Sequence, residues 1–381
     1  MKQLSAILLA VLSFTVVAGQ SSSFSVSGWW NSSSAPFSPV VEQNDAILFR
    51  VKAPTASKVA LLFGEWNVRP QAMTRDTGGV WSITIPPVEP GIYSYKFQID
   101  GNDAVDLHNP VVKTGTEVYG SIVEVPGRSP RFDEVRDVPH RALTTLRYFS
   151  KILNRTRTMV VYTPPQYDRR PGERFPVLYL RHGGGDNESS WTQPAGRADV
   201  ILENLLAEKK AVPMLIVMPN GLIDGTWASG STKEGMEKLE HELTDEVMPL
   251  VEKTFRTKND RLSRAIAGLS MGGGQAYVMG LRNIGRFAWI GEFSSGLLSD
   301  TGFDINERAP GVFSDSVKIN KELRLLWIGC GKDDPRSPGH SKLADDLSQK
   351  GIHHVVYNVP GGHEWPVWRQ ELERFMQYLF K

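Results

Sequence analysis

The spacing of apolar residues changes character near residue 126, and no single layer of structure can satisfy both halves. Over residues 40–126 the period is two: Ile47, Phe49 and Val51 alternate, as do Trp81, Ile83 and Ile85, then Tyr93, Tyr95 and Phe97. That spacing puts successive side chains on opposite faces of short strands. Gly78-Gly79, Pro86-Pro87, Pro90-Gly91 and Asp100-Gly101 supply turns between the strands, so the segment predicts an antiparallel β-sandwich of immunoglobulin-like type. Pro126-Gly127 and Ser129-Pro130 then punctuate the chain, and residues 127–139 are expected as a linker. From 140 to 381, apolar runs at 159–162, 177–180, 215–218, 265–267, 289–293, 325–328 and 355–359 interleave with helical spacing at 199–209, 236–255, 273–281, 341–349 and 367–379. Short apolar runs alternating with amphipathic helices predict an α/β domain whose mainly parallel sheet carries helices on both faces.

Composition narrows the partners. The 381 residues carry 43 Lys+Arg against 42 Asp+Glu, a net charge of +1 that gives no reason to expect nucleic acid. The single cysteine, Cys330, excludes an internal disulfide and a cysteine-based zinc site. Lys2, the apolar run at 4–17 and the small residues Val17-Ala18-Gly19 read as a signal peptide over residues 1–19, with residues 20–39 a Ser/Pro-rich lead-in. A periplasmic or secreted protein is therefore expected. The apolar run is shorter than the roughly 20 residues a spanning helix needs, and no cysteine stands at the cleavage point for a lipid, so no membrane anchor is expected.

The sharpest chemical signal is Gly268-Leu269-Ser270-Met271-Gly272, entered from the apolar run Ala265-Ile266-Ala267 and left into a helical pattern. This is the context of a nucleophile elbow, in which a tight strand-to-helix turn presents a serine hydroxyl at a sheet edge. A serine needs a base. Of the eight histidines, four precede the serine and fail the α/β-hydrolase order of serine, acid, histidine; of the others, His340 starts a helix and His353-His354 open the last strand, which leaves His363, in Pro360-Gly361-Gly362-His363 just past that strand. The acid belongs after the 325–328 strand, where Asp333 and Asp334 are neighbours. Spacing alone does not choose between them; Asp334, followed by Pro335, is the choice and Asp333 the alternative. An oxyanion would take the backbone N–H of Met271 together with that of Gly183 or Gly184, from the His182-Gly183-Gly184-Gly185 segment that follows a strand. A phosphate loop is the rival reading of those glycines, but no lysine or Walker pattern follows them. Trp191, Trp227 and Trp365 fall on the same side of the sheet and are candidates to contact a planar acyl group. No metal and no organic cofactor is required by this set.

These residues carry a resemblance. Val161-Tyr162-Thr163-Pro164-Pro165, the Tyr179 to Gly185 segment, the block around Ser270, Gly329-Cys330-Gly331-Lys332-Asp333-Asp334 and Gly361-Gly362-His363-Glu364-Trp365 resemble esterase D type α/β-hydrolases, in particular feruloyl and acetylxylan esterases. The family pattern places its acid three residues after the glycine at Gly331, which favours Asp334. The front half, with Phe63-Gly64-Glu65-Trp66, Gly79-Val80-Trp81 and Gly91-Ile92-Tyr93-Ser94-Tyr95, is similar to the carbohydrate-binding module found beside glycogen-branching enzymes. The resemblance implies feruloylated or acetylated xylan as partner, with ferulate release as the expected reaction. Acetylxylan esterase, siderophore esterase of the enterochelin type and non-catalytic polysaccharide binding are the alternatives. Within the module, Tyr93, Tyr95 and Phe97 share a face read as core. Trp66 is the candidate sugar contact, and the module alternatively buttresses the active site.

Overall fold

In the computed structural model, residues 37–297 and 303–381 are described. The expected signal peptide (1–19) and most of the lead-in (20–39) lie outside the described residues. Residues from Ser38 to Lys381 form one compact unit.

The period-two segment folds as two antiparallel sheets. One orders its strands Val40–Val41, Ile47–Lys52, Val80–Ile85 and Thr74–Arg75; the other orders Gln71–Ala72, Val59–Phe63, Gly91–Ile99, Val118–Val125 and Val112–Thr114, with Asn102–Ala104 beside Gly91–Ile99. Their facing sides bury Ile47, Phe49, Val59, Leu61, Trp81, Tyr95, Phe97, Val123 and Val125 in one core. Ile92 and Ile122 lie on neighbouring paired strands but pack into the core of the second half instead. The second sheet is therefore apolar on both faces, which is why its alternation is imperfect in sequence.

The second half is built on an eight-stranded sheet: β1 Leu143–Ser150, β2 Arg155–Tyr162, β3 Val177–Arg181, β4 Leu215–Pro219, β5 Arg264–Leu269, β6 Trp289–Phe293, β7 Leu325–Gly331 and β8 Val355–Val359. The spatial order is β1-β2-β4-β3-β5-β6-β7-β8, antiparallel at the first two pairings and parallel from β4 onward. The central strands alternate between two cores: Leu178 and Leu180 face the helices Ala198–Ala207 and Trp365–Met376, while Val177 and Tyr179 face the side holding Lys233–His241 and Met271–Arg282. Burial on both faces accounts for unbroken apolar runs.

β1 has no counterpart among the runs read from the sequence. Its polar-rich Leu-Thr-Thr-Leu-Arg-Tyr-Phe-Ser is mostly exposed at the sheet edge and pairs only with β2. The 127–139 segment, expected as a linker, is fastened along its length. Asn204 donates to the carbonyls of Phe132 (2.9 Å) and Glu134 (2.8 Å), and Arg369 donates to Asp133 at 2.8 Å. The Arg131–Glu124 ion pair (2.9 Å) and Arg197 donating to Asp133 O (3.0 Å) tie it further.

Candidate functional site

The registers Arg181↔Gly268, Leu269↔Phe293, Phe293↔Gly329 and Gly331↔Val359 align the carboxyl ends of β3, β5, β6, β7 and β8 along one edge. In open α/β sheets that edge is where ligands bind. The glycine loop, the Ser270 elbow and the loops of Asp334 and His363 leave from it.

Ser270 stands between β5 and the helix Met271–Arg282 at φ 49°, ψ −117°, a left-handed backbone that costs a non-glycine residue on the order of 1–3 kcal/mol. The turn is over-determined from outside. Ser270 N–H donates to Phe293 O (2.7 Å), and a Cβ on Gly268 or Gly272 would lie 2.4 Å from Gly272 O or 2.3 Å from His182 O. Only bare backbone lets the elbow approach β3 this closely.

Three side chains from three loops meet here. The Ser270 hydroxyl lies 3.0 Å from His363 Nε2, and His363 Nδ1 lies 2.7 Å from Asp334 Oδ2. With Nδ1–H donating to the carboxylate, Nε2 is left as the acceptor for the hydroxyl. Trp368 packs edge-on against the imidazole, with centroids 4.9 Å apart. Asp334 is buried, and its other oxygen accepts from the Arg336 backbone N–H (3.0 Å) and guanidinium (3.3 Å). Burial pushes its pKa up, but the bonds from His363 and Arg336 outweigh burial and hold it below the ordinary aspartate value. Asp333 faces away: it is exposed, and its carboxylate accepts from Gly361 N–H at 3.2 Å, bracing the histidine loop.

The glycine loop after β3 forms a turn closed by Asp186 N–H to Gly183 O (3.3 Å), with Gly185 at φ +78°. Gly183 lies beside the serine: a Cβ built there would be 3.4 Å from Ser270 Cβ. Met271 opens its helix, in the turn whose N–H groups have no intrahelical carbonyl to bond. His182 secures the base of the loop, its Nδ1–H donating to Gly183 O (2.8 Å) and its Nε2 accepting from Gly221 N–H (2.8 Å). Both bonds need a neutral ring, and burial lowers its pKa to about 3.

The aromatic candidates separate into two pairs. Trp227 is 69% exposed, its indole lying against Gly184 and Gly185, and Trp66 is 37% exposed, its ring against Gly362 next to His363. Trp191 and Trp365 correct the sequence reading, which offered both as candidate substrate contacts. Each is 1% exposed, and they pack edge to face with centroids 5.1 Å apart, Trp191 donating its indole N–H to Arg181 O. Their loops lie on the right side of the sheet, but both rings turn inward and support the site from beneath.

The sequence offered the sandwich as a buttress of the active site but not the residues that make it one. Glu65 accepts from Trp365 N–H (2.8 Å) and from Ser94 Oγ (2.5 Å). Lys113 sits 3.6 Å from Asp186 and over the Tyr119 ring, and Thr116 bonds Gly185. Lys113 and Thr116 belong to no motif, and Glu65, although within Phe63-Gly64-Glu65-Trp66, carries no residue-type sign of this contact. Also unforeseen is a buried polar set below the Asp334 loop. His340 donates to Arg336 O (2.9 Å) and Glu292 (3.1 Å), and neither carboxylate oxygen of Glu371 has a hydrogen-bond partner among the described residues. Burial, reinforced by the nearby Glu292, raises the Glu371 pKa well above that of an ordinary glutamate.

The comparisons with known proteins agree with this picture. Residues 150–379 match the family model described as "Putative esterase", and residues 36–115 match carbohydrate-binding module 48, the isoamylase N-terminal domain. An endo-1,4-beta-xylanase/feruloyl esterase of Xylanibacter ruminicola is 32% identical over 90% of this chain and 46% of its own length. The chain spans about half the length of the first curated relatives it matches, 46% and 51%. Among solved structures, a ferulic acid esterase is 26% identical with TM-score 0.55, covering 62% of this chain and 97% of its own. An enterobactin esterase of Shigella flexneri, 19% identical with TM-score 0.65, shares the fold over 93% of this chain and 99% of its own. The first match, extending over residues 150–379 and so over more than half of the chain, makes this protein a member of the esterase family, of α/β-hydrolase fold, preceded by a β-sandwich of the carbohydrate-binding module 48 type.

Proposed function

We propose that the protein hydrolyses carboxylic esters through an acyl-enzyme on Ser270, and that its esters are feruloyl or related hydroxycinnamoyl groups on plant cell wall arabinoxylan. The observation that carries the chemistry is the unbroken line from the Ser270 hydroxyl through His363 to Asp334, at 3.0 and 2.7 Å. In this reading His363 Nε2 takes the hydroxyl proton as Ser270 Oγ adds to the ester carbonyl. Asp334, ionised and directed at Nδ1–H, holds the tautomer and stabilises the imidazolium. The N–H groups of Met271 and of Gly183 or Gly184 receive the developing oxyanion. The tetrahedral intermediate collapses as His363 returns the proton to the leaving alcohol; water then repeats the sequence to release the acid and free Ser270. No metal or organic cofactor enters this cycle.

The substrate class rests on the likeness to the xylanase/feruloyl esterase and to the ferulic acid esterase. The exposed rings of Trp227 and Trp66 at the rim suit a planar acyl group and a sugar face. A siderophore ester is the second reading, favoured by an enterobactin esterase that matches both halves of the chain. The deciding experiment sets methyl ferulate, acetylated xylan, p-nitrophenyl acetate and ferric enterobactin side by side, with fluorophosphonate labelling of Ser270 and the Ser270→Ala protein as control. Ser270→Ala is expected to lose both label and turnover, by roughly 10⁴–10⁶-fold in kcat. Turnover retained by that variant sinks the mechanism, and a preference for enterobactin over methyl ferulate sinks the substrate. Export directed by residues 1–19 is part of the proposal; sequencing the N-terminus of the secreted protein tests it, with a start near Gln20 expected and Met1 contradicting it.

A further inference from the structure

One place where the two halves of the chain meet is the glycine loop, and two hydrogen bonds from the sandwich converge there on one carbonyl. The Gly185 carbonyl accepts from Thr116 N–H at 2.7 Å and from Thr116 Oγ1 at 3.1 Å. Tyr119 Oη lies 2.9 Å from the same Oγ1, so that the hydroxyl accepts from Tyr119 while donating to Gly185. Next to it, Asn187 donates to Gly115 O (3.1 Å) and Gln193 accepts from Thr114 N–H (3.0 Å). Gly115 leaves no clearance, since a Cβ there would lie 2.1 Å from Gly185 O. The sandwich turn between Val112–Thr114 and Val118–Val125 is thus fitted to the loop backbone itself, not to its side chains.

The placement has a chemical meaning. Gly183, Gly184 and Gly185 have no side chains with which to hold their own peptides in one orientation, and glycine populates left-handed and right-handed backbones about equally. An oxyanion donor is worth its full effect only when its N–H is already aimed. Gly185 is the third residue of the turn closed by Asp186 N–H on Gly183 O, and its φ of +78° is what that position of a type II turn requires. Holding the Gly185 carbonyl from outside fixes the Gly185–Asp186 peptide, hence the turn, hence the N–H groups preceding it.

We propose that Thr116 of the sandwich is a positioning residue for the oxyanion loop, so that the front domain takes part in the chemical step on every ester, including small soluble ones that carry no sugar. This rests on the acyl-enzyme reading above. It differs from a polysaccharide-capture role, which would leave a sugar-free ester untouched.

The test uses the full-length protein and p-nitrophenyl acetate. Thr116→Val keeps the shape and removes the hydroxyl, while Thr116→Ser restores it; Gly115→Ala pushes a methyl into Gly185 O. Thr116→Val is expected to lower kcat about 10-fold with KM within about 2-fold, a fraction of the roughly 10²–10³-fold that loss of a whole oxyanion donor costs. Thr116→Ser is expected to recover most of it, and Gly115→Ala to lose more than Thr116→Val. Fluorophosphonate labelling of Ser270, whose phosphoryl oxygen occupies the oxyanion position, is expected to slow in the same rank order while the thermal midpoint of Thr116→Val stays that of the wild type. An unchanged kcat in Thr116→Val, a loss that falls on KM alone, or a loss not rescued by serine overturns the inference. A wild-type protein that neither turns over esters nor labels at Ser270 overturns the hydrolase reading first, which separates the two failures.

Discussion

The two halves of the site are held by different means. His363 and Asp334 are gripped mainly by side chains of the α/β domain, with the sandwich adding Glu65 at Trp365 N–H and the Trp66 ring against Gly362: Asp333 braces the Gly361 backbone, Arg336 grips Asp334, and His340 ties Arg336 O to Glu292. The oxyanion side is set partly from a different sheet system, by Thr116 and Gly115 of the sandwich. The contrast follows from what each half must hold. Side chains that move protons can be locked by their own hydrogen bonds, whereas a run of glycines offers only peptides to grip. Rigidity there has to be supplied by another surface.

The most severe test of the inner half is Asp334→Asn. It is expected to keep the fold but cost about 10⁴-fold in kcat through the wrong imidazole tautomer. Asp333→Asn, one residue away, is expected to cost less than about 10-fold; equal losses in the two variants would erase the distinction between them. On the oxyanion side, Trp191 lies below the loop and Trp227 above it. Trp191→Ala is expected to destabilise the protein by about 3–5 kcal/mol in urea unfolding, as emptying a buried indole does. Trp227→Ala should stay within about 0.5 kcal/mol and change only KM for aromatic esters. A large stability loss in Trp227→Ala, or none in Trp191→Ala, would reverse their assignment.

A pH-dependent effect tests the polar set beneath Asp334. Glu371 has a folded-state pKa raised by burial and by Glu292, so the folded protein holds a proton that the unfolded chain releases above about pH 4.5. Its contribution is therefore most favourable below that pH and declines as pH rises toward the folded-state value, by up to about 1.4 kcal/mol per pH unit. Glu371→Gln is neutral in both states and is expected to flatten the fall of stability as pH rises above about 4.5. An identical slope in the two proteins refutes the protonated state. Asp334 runs the opposite way, since its lowered pKa contributes stability at neutral pH that is lost only in strong acid.

What could be read from the sequence was whatever is fixed by neighbours along the chain. Gly268-Leu269-Ser270-Met271-Gly272 announces its elbow because strand, turn and helix are contiguous. The rule of order reaches His363 for the same reason: it lies just past the last strand. Asp333 and Asp334 were not separable by spacing, because adjacent residues on a loop point in different directions and only the fold says which meets the ring. Trp191 and Trp365 were misplaced because a loop's location on the correct side of a sheet does not say whether its side chain turns inward. Thr116 gave no sign at all. Its partner Gly185 is 69 residues distant, and the bond joins a polar turn to a backbone carbonyl, which leaves no residue-type signature. β1 was hidden by an edge strand's freedom to be polar.

Ile92 and Ile122, reaching out of their own sandwich into the neighbouring core, bear on how such a protein can be inherited or engineered. A front piece joined this way does not behave as an interchangeable cassette. Cutting the gene between the halves would leave each fragment with an oily scar, and grafting a foreign module in its place would demand matching both the scar and the grip on the glycine peptide. Lineages carrying this arrangement are expected to shuffle the whole block or nothing.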